Sequence, residues 1–273
     1  MVTAVLFALL SLILFTAGDA WLKVPSERQG ALKTTFLITL FSTLILFAFS
    51  IFWKGTLNAS SIEFSTISGL LMGTGLLFVL VSLEKEQMSD TMSLIPVSYL
   101  VPVLWGSLVL HESINAYEVA GAALIFMGTF FIMFKTLKLN LGLIPALLGN
   151  IFWGFQLVAF NYAVSSSFNY PLVGAFGNLI SFLLILVFVI LRKNFDFDKR
   201  YVSQSFIIAL LQSFALLSAL IVEAYKYMVV GFSVVAAEPA LLTLIGYFVF
   251  KDRINTIQLL GVLSMFVGLF ILS

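Results

Sequence analysis

Ten runs of apolar residues, each long or nearly long enough to cross a bilayer as a helix, follow one another along the chain with only short polar segments between them. They fall at residues 2–22, 34–53, 64–83, 91–110, 117–134, 141–164, 171–191, 205–222, 231–250 and 256–272. A helix needs about 20 apolar residues to cross roughly 30 Å of hydrocarbon, where every backbone N–H and C=O must be satisfied within the segment. The pattern predicts an all-α membrane protein of ten transmembrane helices. Charge collects in the connections, as in LKVPSERQGALK after the first run and LRKNFDFDKRYVSQ after the seventh, and no connection has room for a soluble domain. The first run lacks a basic stretch ahead of it and a small-x-small site behind it, so it reads as a retained helix and not a secretory signal.

Composition excludes several classes of function. The chain is 61% hydrophobic and 10% charged, against the roughly 25% charge that covers a soluble domain. A net charge of +1 offers nucleic acid no general attraction. There is no cysteine and a single histidine, His111, which rules out disulfides and thiolate metal sites and leaves little for nucleophilic catalysis. No G-x-x-x-x-G-K-[ST] loop is present to hold ATP. No cofactor and no metal are expected; the partners implied are the lipid bilayer and a small-molecule solute, with oligomeric state left open.

The chain repeats itself. HESINAYEVAGAALIFMGTFF from His111 aligns without a gap on KDRINTIQLLGVLSMFVGLFI from Lys251, an offset of 140 residues (251 less 111). Ile114, Asn115, Gly121, Phe126, Gly128 and Phe130 meet Ile254, Asn255, Gly261, Phe266, Gly268 and Phe270, and Glu112 meets Asp252; upstream, Met88, Ser93 and Gly106 meet Met228, Ser233 and Gly246. Residues 1–137 and 138–273 therefore read as a duplicated five-helix unit. Because five is odd, the second unit is expected upside down relative to the first, with a shared cavity on the pseudo-two-fold axis, an arrangement suited to alternating access. Basic residues concentrate in the connections after odd-numbered runs, which hold 12 of the 14; this bias predicts both termini outside a multi-pass cell membrane protein.

With this duplication and the motif Glu112-x-Ile114-Asn115…Gly121…Gly128, repeated as Asp252-x-Ile254-Asn255…Gly261…Gly268, the chain resembles the EamA-type members of the drug/metabolite transporter superfamily over essentially its whole length. Pro239 stands 13 positions before Asp252 in Glu238-Pro239-Ala240-Leu241, similar to the family's proline motif; its counterpart in the first half is Tyr99, flanked by Pro96 and Pro102. The glycine that members carry before the acid is His111 in one half and Lys251 in the other. The resemblance implies an exporter or exchanger of amino acids, metabolites or drugs. It also implies cytoplasmic termini, in conflict with the charge bias.

Several residues are candidates for that work. Glu238 lies in an apolar run, where a charge costs roughly 2.5–3.5 kcal/mol on insertion scales. It is the candidate for proton or ion coupling, the alternative being a hydrogen-bonded packing residue. Pro239 removes a backbone donor beside it, and with Pro96, Pro102 and Glu223 it makes the set of candidate gates and hinges. Asn150, Trp153 and Gln156 recur at i, i+3 and i+6 and read as a solute-binding wall, to which Tyr99 is added; interhelical glue is the competing reading. Asn178 and Gln212 read as packing. Asp19 and Trp21 read as interfacial anchors, and Glu223 with Lys226 as interfacial charges spaced for an ion pair. His111 reads as a solvated interfacial histidine, Glu112, Asp252, Asn115 and Asn255 as caps or loop ties, and Gly69, Gly73, Gly75, Gly121 and Gly128 as points of close helix approach. The expected function is a secondary transporter of small solutes with proton coupling through Glu238, against a membrane-embedded enzyme, a lipid flippase or a non-transporting scaffold.

Overall fold

A computed structural model describes residues 2–86, 91, 94–134, 141–193, 195–249 and 254–272. Met88, Ser93, Lys135, Lys138, Phe250, Lys251, Asp252 and Arg253 lie outside the described residues. The described secondary structure is wholly helical: α1 Val2–Gln29, α2 Ala31–Ser50, α3 Ala59–Lys85, α4 Pro96–Leu108, α5 Ala116–Phe134, α6 Leu143–Ser165, α7 Tyr170–Leu191, α8 Lys199–Ala224, α9 Met228–Val235, α10 Glu238–Phe248 and α11 Thr256–Leu272. Among the described residues, seven helical spans are long and apolar enough to cross a membrane, α9 and α10 counting together as one; α4, α5 and α11 are shorter apolar helices. Large apolar side chains such as Leu6, Ile13, Val187 and Leu260 face outward, while serines and threonines such as Ser11, Thr34, Ser68 and Ser181 are buried. That inside-out distribution suits hydrocarbon on the outside.

Helix boundaries follow local chemistry. Gly30, at φ 93°, breaks α1 from α2 in a backbone region that side chains avoid. Asn58 and Ser61 form a reciprocal capping box at the start of α3. The repeated Asn-x-x-acid/amide signal does the same in both halves. The Glu118 N–H donates to Asn115 Oδ1 (3.0 Å) and the Asn115 N–H to Glu118 Oε2 (2.7 Å). The Gln258 N–H likewise donates to Asn255 Oδ1 (2.7 Å) and the Asn255 N–H to Gln258 Oε1 (3.1 Å). Glu112 accepts at Oε1 from the Met228 N–H (3.0 Å) and at Oε2 from the Val229 N–H (2.9 Å), tying the first half to the N-terminus of α9. Burial pushes its carboxyl above the ordinary carboxylate range, partly opposed by those two donors.

Two apolar runs differ from their expected spans. The run read as one helix over 231–250 is split into α9 and α10 by turns at Ala236 and Ala237. Pro239 has no N–H to give to the carbonyl four residues back, and its ring crowds that carbonyl. Within the fourth run, read over 91–110, α4 begins at Pro96, where a missing N–H costs nothing. It ends at Leu108, ahead of a turn at His111 with φ 51°.

Close helix contacts run through small residues. A Cβ on Gly121 would lie 3.1 Å from Gly268 O, and one on Gly128 would lie 2.5 Å from Gly261 O. These reciprocal pairs fix α5 and α11 as antiparallel neighbours. α2 and α7 are antiparallel as well, with Phe36 against Phe182 at one end and Leu46 over Gly174 at the other. α3 packs on α6 at Gly75 and Gly149, where each backbone occupies the space a Cβ of the other would need. α1 packs on α8, with the Ser11 hydroxyl donating to Ala215 O (3.0 Å).

Candidate functional site

Where helices of the two halves converge, a cavity of about 90 Å³ opens. One buried water takes roughly 10–15 Å³ on that measure, so the space holds several waters or a small solute. Seven helices line it. Three pairs related by the 140-residue offset are among its lining residues: Ile38 with Asn178, Met72 with Gln212, and Leu76 with Leu216. In the first two pairs the first half gives an apolar side chain where the second gives an amide, and in the third both give leucine.

Two carboxyls meet at this site. Asp19, from α1, lines the cavity and is 3% exposed; Glu238, at the start of α10, is fully buried. The Gln212 amide donates to Asp19 Oδ1 (2.7 Å), and the Tyr99 hydroxyl donates to Glu238 Oε2 (3.0 Å). The two carboxyls stand within hydrogen-bond reach of each other, while Glu238 Oε1 receives no donor. Two carboxyls bond to each other only through a proton that one of them carries. Glu238 is not itself a lining residue. It sits one step behind the wall, hydrogen-bonded to Tyr99 and beside Asp19, both of which line it.

The helix break builds this arrangement. Pro239 ends the continuous ladder, α9 stops at Val235, and Glu238 opens α10 with the positive end of that helix dipole beside its carboxyl. Tyr99, the 140-residue counterpart of Pro239, comes from α4, where it stacks parallel to Phe232 of α9 with ring centres 6.3 Å apart. Pro102, buried within α4, likewise has no N–H for the Ser98 carbonyl. Gly154 of α6 passes so close to that carbonyl that a Cβ there would stand 2.8 Å from it.

Of the residues expected on a solute wall, Tyr99, Trp153 and Gln156 come together at the cavity, and Trp153 lies against Gly75, whose missing side chain makes room for the indole. Asn150 does not join them. At 100° per residue, i to i+6 turns through 120° net, so Asn150 faces away, with its amide donating to its own Ala146 carbonyl (2.8 Å). Four other expectations are corrected. Asp19 is a buried cavity residue and not an interfacial anchor, because α1 runs on to Gln29 and places it inside the membrane span. Gln212 and Asn178, read as packing, line the cavity. Glu223 is fully buried with both carboxylate oxygens unpartnered, and no ion pair joins it to Lys226, which turns off the helix end at φ 59°. Trp21, half exposed, and His111, exposed, sit as expected. Ser98, Ser42 and Ser213 also line the cavity and carried no sequence signal beyond being polar in apolar runs.

A comparison with curated proteins finds no match. A solved crystal structure of a protein superposes with a TM-score of 0.76 over 98% of this chain and 97% of that one, at 15% identity, which is a likeness of fold. The sequence model of the EamA-like transporter family matches twice, over residues 2–134 and again over 140–273. The chain belongs to the EamA-like transporter family, membrane proteins that generally move small solutes.

Proposed function

We propose that the chain is a secondary carrier of small metabolites, amino acids or drug-like solutes, built as two inverted five-helix units divided near residue 137, in which the solute occupies the central cavity and Glu238 holds the coupling proton. The observation that carries the reading is a largely apolar cavity at the junction of both halves, with a few polar side chains on its wall and a buried carboxyl pair at its edge. Inversion is supported by the pairing of counterparts: α2 with α7 and α5 with α11 are related by the offset and run antiparallel. The contact of α1 with α8 is the counterpart of that between α6 and α3. In such an arrangement the two halves exchange geometries about the axis, and the cavity opens to one side and then the other.

The break between α9 and α10, and the prolines Pro96, Pro102 and Pro239, are the points at which the wall can flex without breaking a regular hydrogen-bond ladder. Tyr99, Trp153 and Gln156 form the solute wall, and Glu223, buried at the end of α8, is the candidate gate. The basic-residue bias supports termini outside the cell membrane, which a reporter fused to either end would test.

The test is uptake and counterflow of amino acids, aromatic amines and nucleobases in proteoliposomes, with and without an imposed pH gradient, comparing the native chain with Glu238→Gln. Gradient-driven flux lost in the variant while solute exchange survives is the expected result. Equal gradient-driven flux in both would reduce Glu238 to a packing residue, and no flux with any solute would remove the carrier reading.

A further inference from the structure

We propose that Asp19 and Glu238 form a binding site for the ammonium group of an amphipathic organic amine, with Asp19 the carboxyl that meets the solute and Glu238 the carboxyl that keeps the exchanged proton. The inference rests on the carrier reading above and names its substrate class.

Charge balance is the first ground. Every donor described on the pair is neutral: the Gln212 amide on Asp19 and the Tyr99 hydroxyl on Glu238. Among the described residues, Tyr99 is the one further titratable group beside either carboxyl, and no lysine, arginine or histidine lines the cavity. In this proposal one proton sits on the pair, which leaves one negative charge in an apolar interior with no countercharge among the lining residues. Two buried negative charges without a countercharge are costly, so the pair holds one cation at a time, a proton when the cavity is empty and an ammonium in its place.

The cavity wall is the second ground. Phe15, Tyr99 and Trp153 put aromatic rings around the space, and rings attract an organic cation through their faces. Leu76, Leu157 and Leu216 offer an apolar body its burial. Ser213 lines the cavity beside Gln212 with a buried hydroxyl that has no partner, an acceptor available to a second ammonium N–H. A small inorganic cation would have little use for the aromatic side.

The third ground is asymmetry. At the 140-residue offset, the counterparts of Asp19 and Glu238 are Ala159 and Ser98. The duplicated unit therefore supplies one acidic site, not two. One ammonium replaces one proton: R–NH3+ enters against Asp19, the shared proton leaves to solvent, and the charge of the site is the same before and after.

Calorimetry on the purified full chain in detergent tests this with 2-phenylethylammonium, 2-phenylethanol, L-phenylalanine and sodium chloride as probes. Titrations near neutral pH in two buffers of different ionisation enthalpy count the protons released. The ammonium compound is expected to bind with about one proton released, 2-phenylethanol and L-phenylalanine to bind at least about tenfold more weakly, and sodium not to compete. Asp19→Asn is expected to abolish amine binding and Asp19→Glu to retain part of it, with size-exclusion profiles confirming that each variant is folded. Equal binding of 2-phenylethanol, proton release by sodium alone, or unchanged amine affinity in Asp19→Asn would overturn the proposal. The ligand series on the native chain decides the matter even if a variant fails to fold. The two readings also fail separately: flux of a neutral or anionic solute unaffected by Asp19→Asn removes the amine site and leaves the carrier, whereas amine binding with proton release but no flux removes the carrier and leaves the site.

Discussion

Replacing Gly128 with alanine tests the antiparallel α5–α11 contact on which the proposed two-fold arrangement depends. The added Cβ would lie 2.5 Å from Gly261 O, 2.7 Å from Met265 Cγ and 3.1 Å from the Met265 backbone nitrogen. Two of those three atoms are backbone and have no rotamer by which to yield. Ordinary contact begins near 3.4 Å, so the helices must part by about 0.9 Å locally, and gaps of 0.5–1 Å forfeit a quarter to a half of each contact's dispersion well. Overpacking of this kind costs about 1–3 kcal/mol, against roughly 0.5–1 kcal/mol that alanine gains over glycine in a helix. Gly174→Ala is the internal control. Its Cβ would meet only the ends of leucine side chains, Leu220 Cδ1 at 3.2 Å, Leu46 Cδ1 at 3.4 Å and Leu216 Cδ2 at 3.7 Å. Unfolding of each purified variant by sodium dodecyl sulfate in mixed micelles, followed by circular dichroism, should find Gly128→Ala less stable than Gly174→Ala by about 1–3 kcal/mol. Equal stability of the two, or a more stable Gly128→Ala, would refute the close antiparallel approach of α5 and α11.

Other expectations follow from single residues. Asn150→Ala should leave flux per folded molecule unchanged, whereas Gln156→Ala should lower it; equal losses would put Asn150 back on the solute wall. Pro239→Ala restores a backbone donor at the break and should slow turnover while leaving solute binding intact, which single-turnover and equilibrium binding measurements separate. Glu223→Gln should leave stability unchanged or higher, because an unpartnered buried carboxylate is costly; a large loss on denaturant titration would reveal a partner. Glu112 titrates above its unfolded value in the folded chain, so the folded state holds more proton in that window and stability falls as pH rises through it. Glu112→Gln should remove that fall at a cost of about 0.5–2 kcal/mol for the weakened cap on α9. A pH profile of unfolding identical to that of the native chain would contradict this.

The sequence shows the apolar runs, the duplication and the capping residues because each rests on local pattern: run length, exact recurrence, and Asn-x-x-Glu or Asn-x-x-Gln spacing. It shows less of the site. Asp19 looked peripheral because Lys23, Pro25, Glu27 and Arg28 resemble a loop, yet α1 continues through them. Lys23 pairs with Glu27 at 2.9 Å and donates to Glu86 O at 2.8 Å, so the charges are satisfied on the helix and Asp19 is left in the interior. Glu238 was visible as an acid in an apolar run, but its position at a helix start depended on how far Pro239 would disrupt the ladder, which tertiary contacts decide. Gln212 and Asn178 are ordinary polar residues in membrane helices, and only the three-dimensional meeting of α1, α7 and α8 distinguishes them from interhelical glue. The i, i+3, i+6 spacing suggests one face for Asn150, Trp153 and Gln156, but two such steps turn Gln156 about 120° away from Asn150.

The central claim is that the cavity between the halves opens alternately to the two sides of the membrane, and site-directed labelling tests it most directly. The chain has no cysteine, so Met72→Cys places a single thiol on the cavity wall without touching the acid pair. A membrane-impermeant maleimide applied to one side of sealed proteoliposomes, and then to the other, reads which side the thiol faces. The account predicts labelling from both sides, with a transported solute or an imposed pH gradient raising one as it lowers the other. Labelling from one side alone under every condition would contradict it.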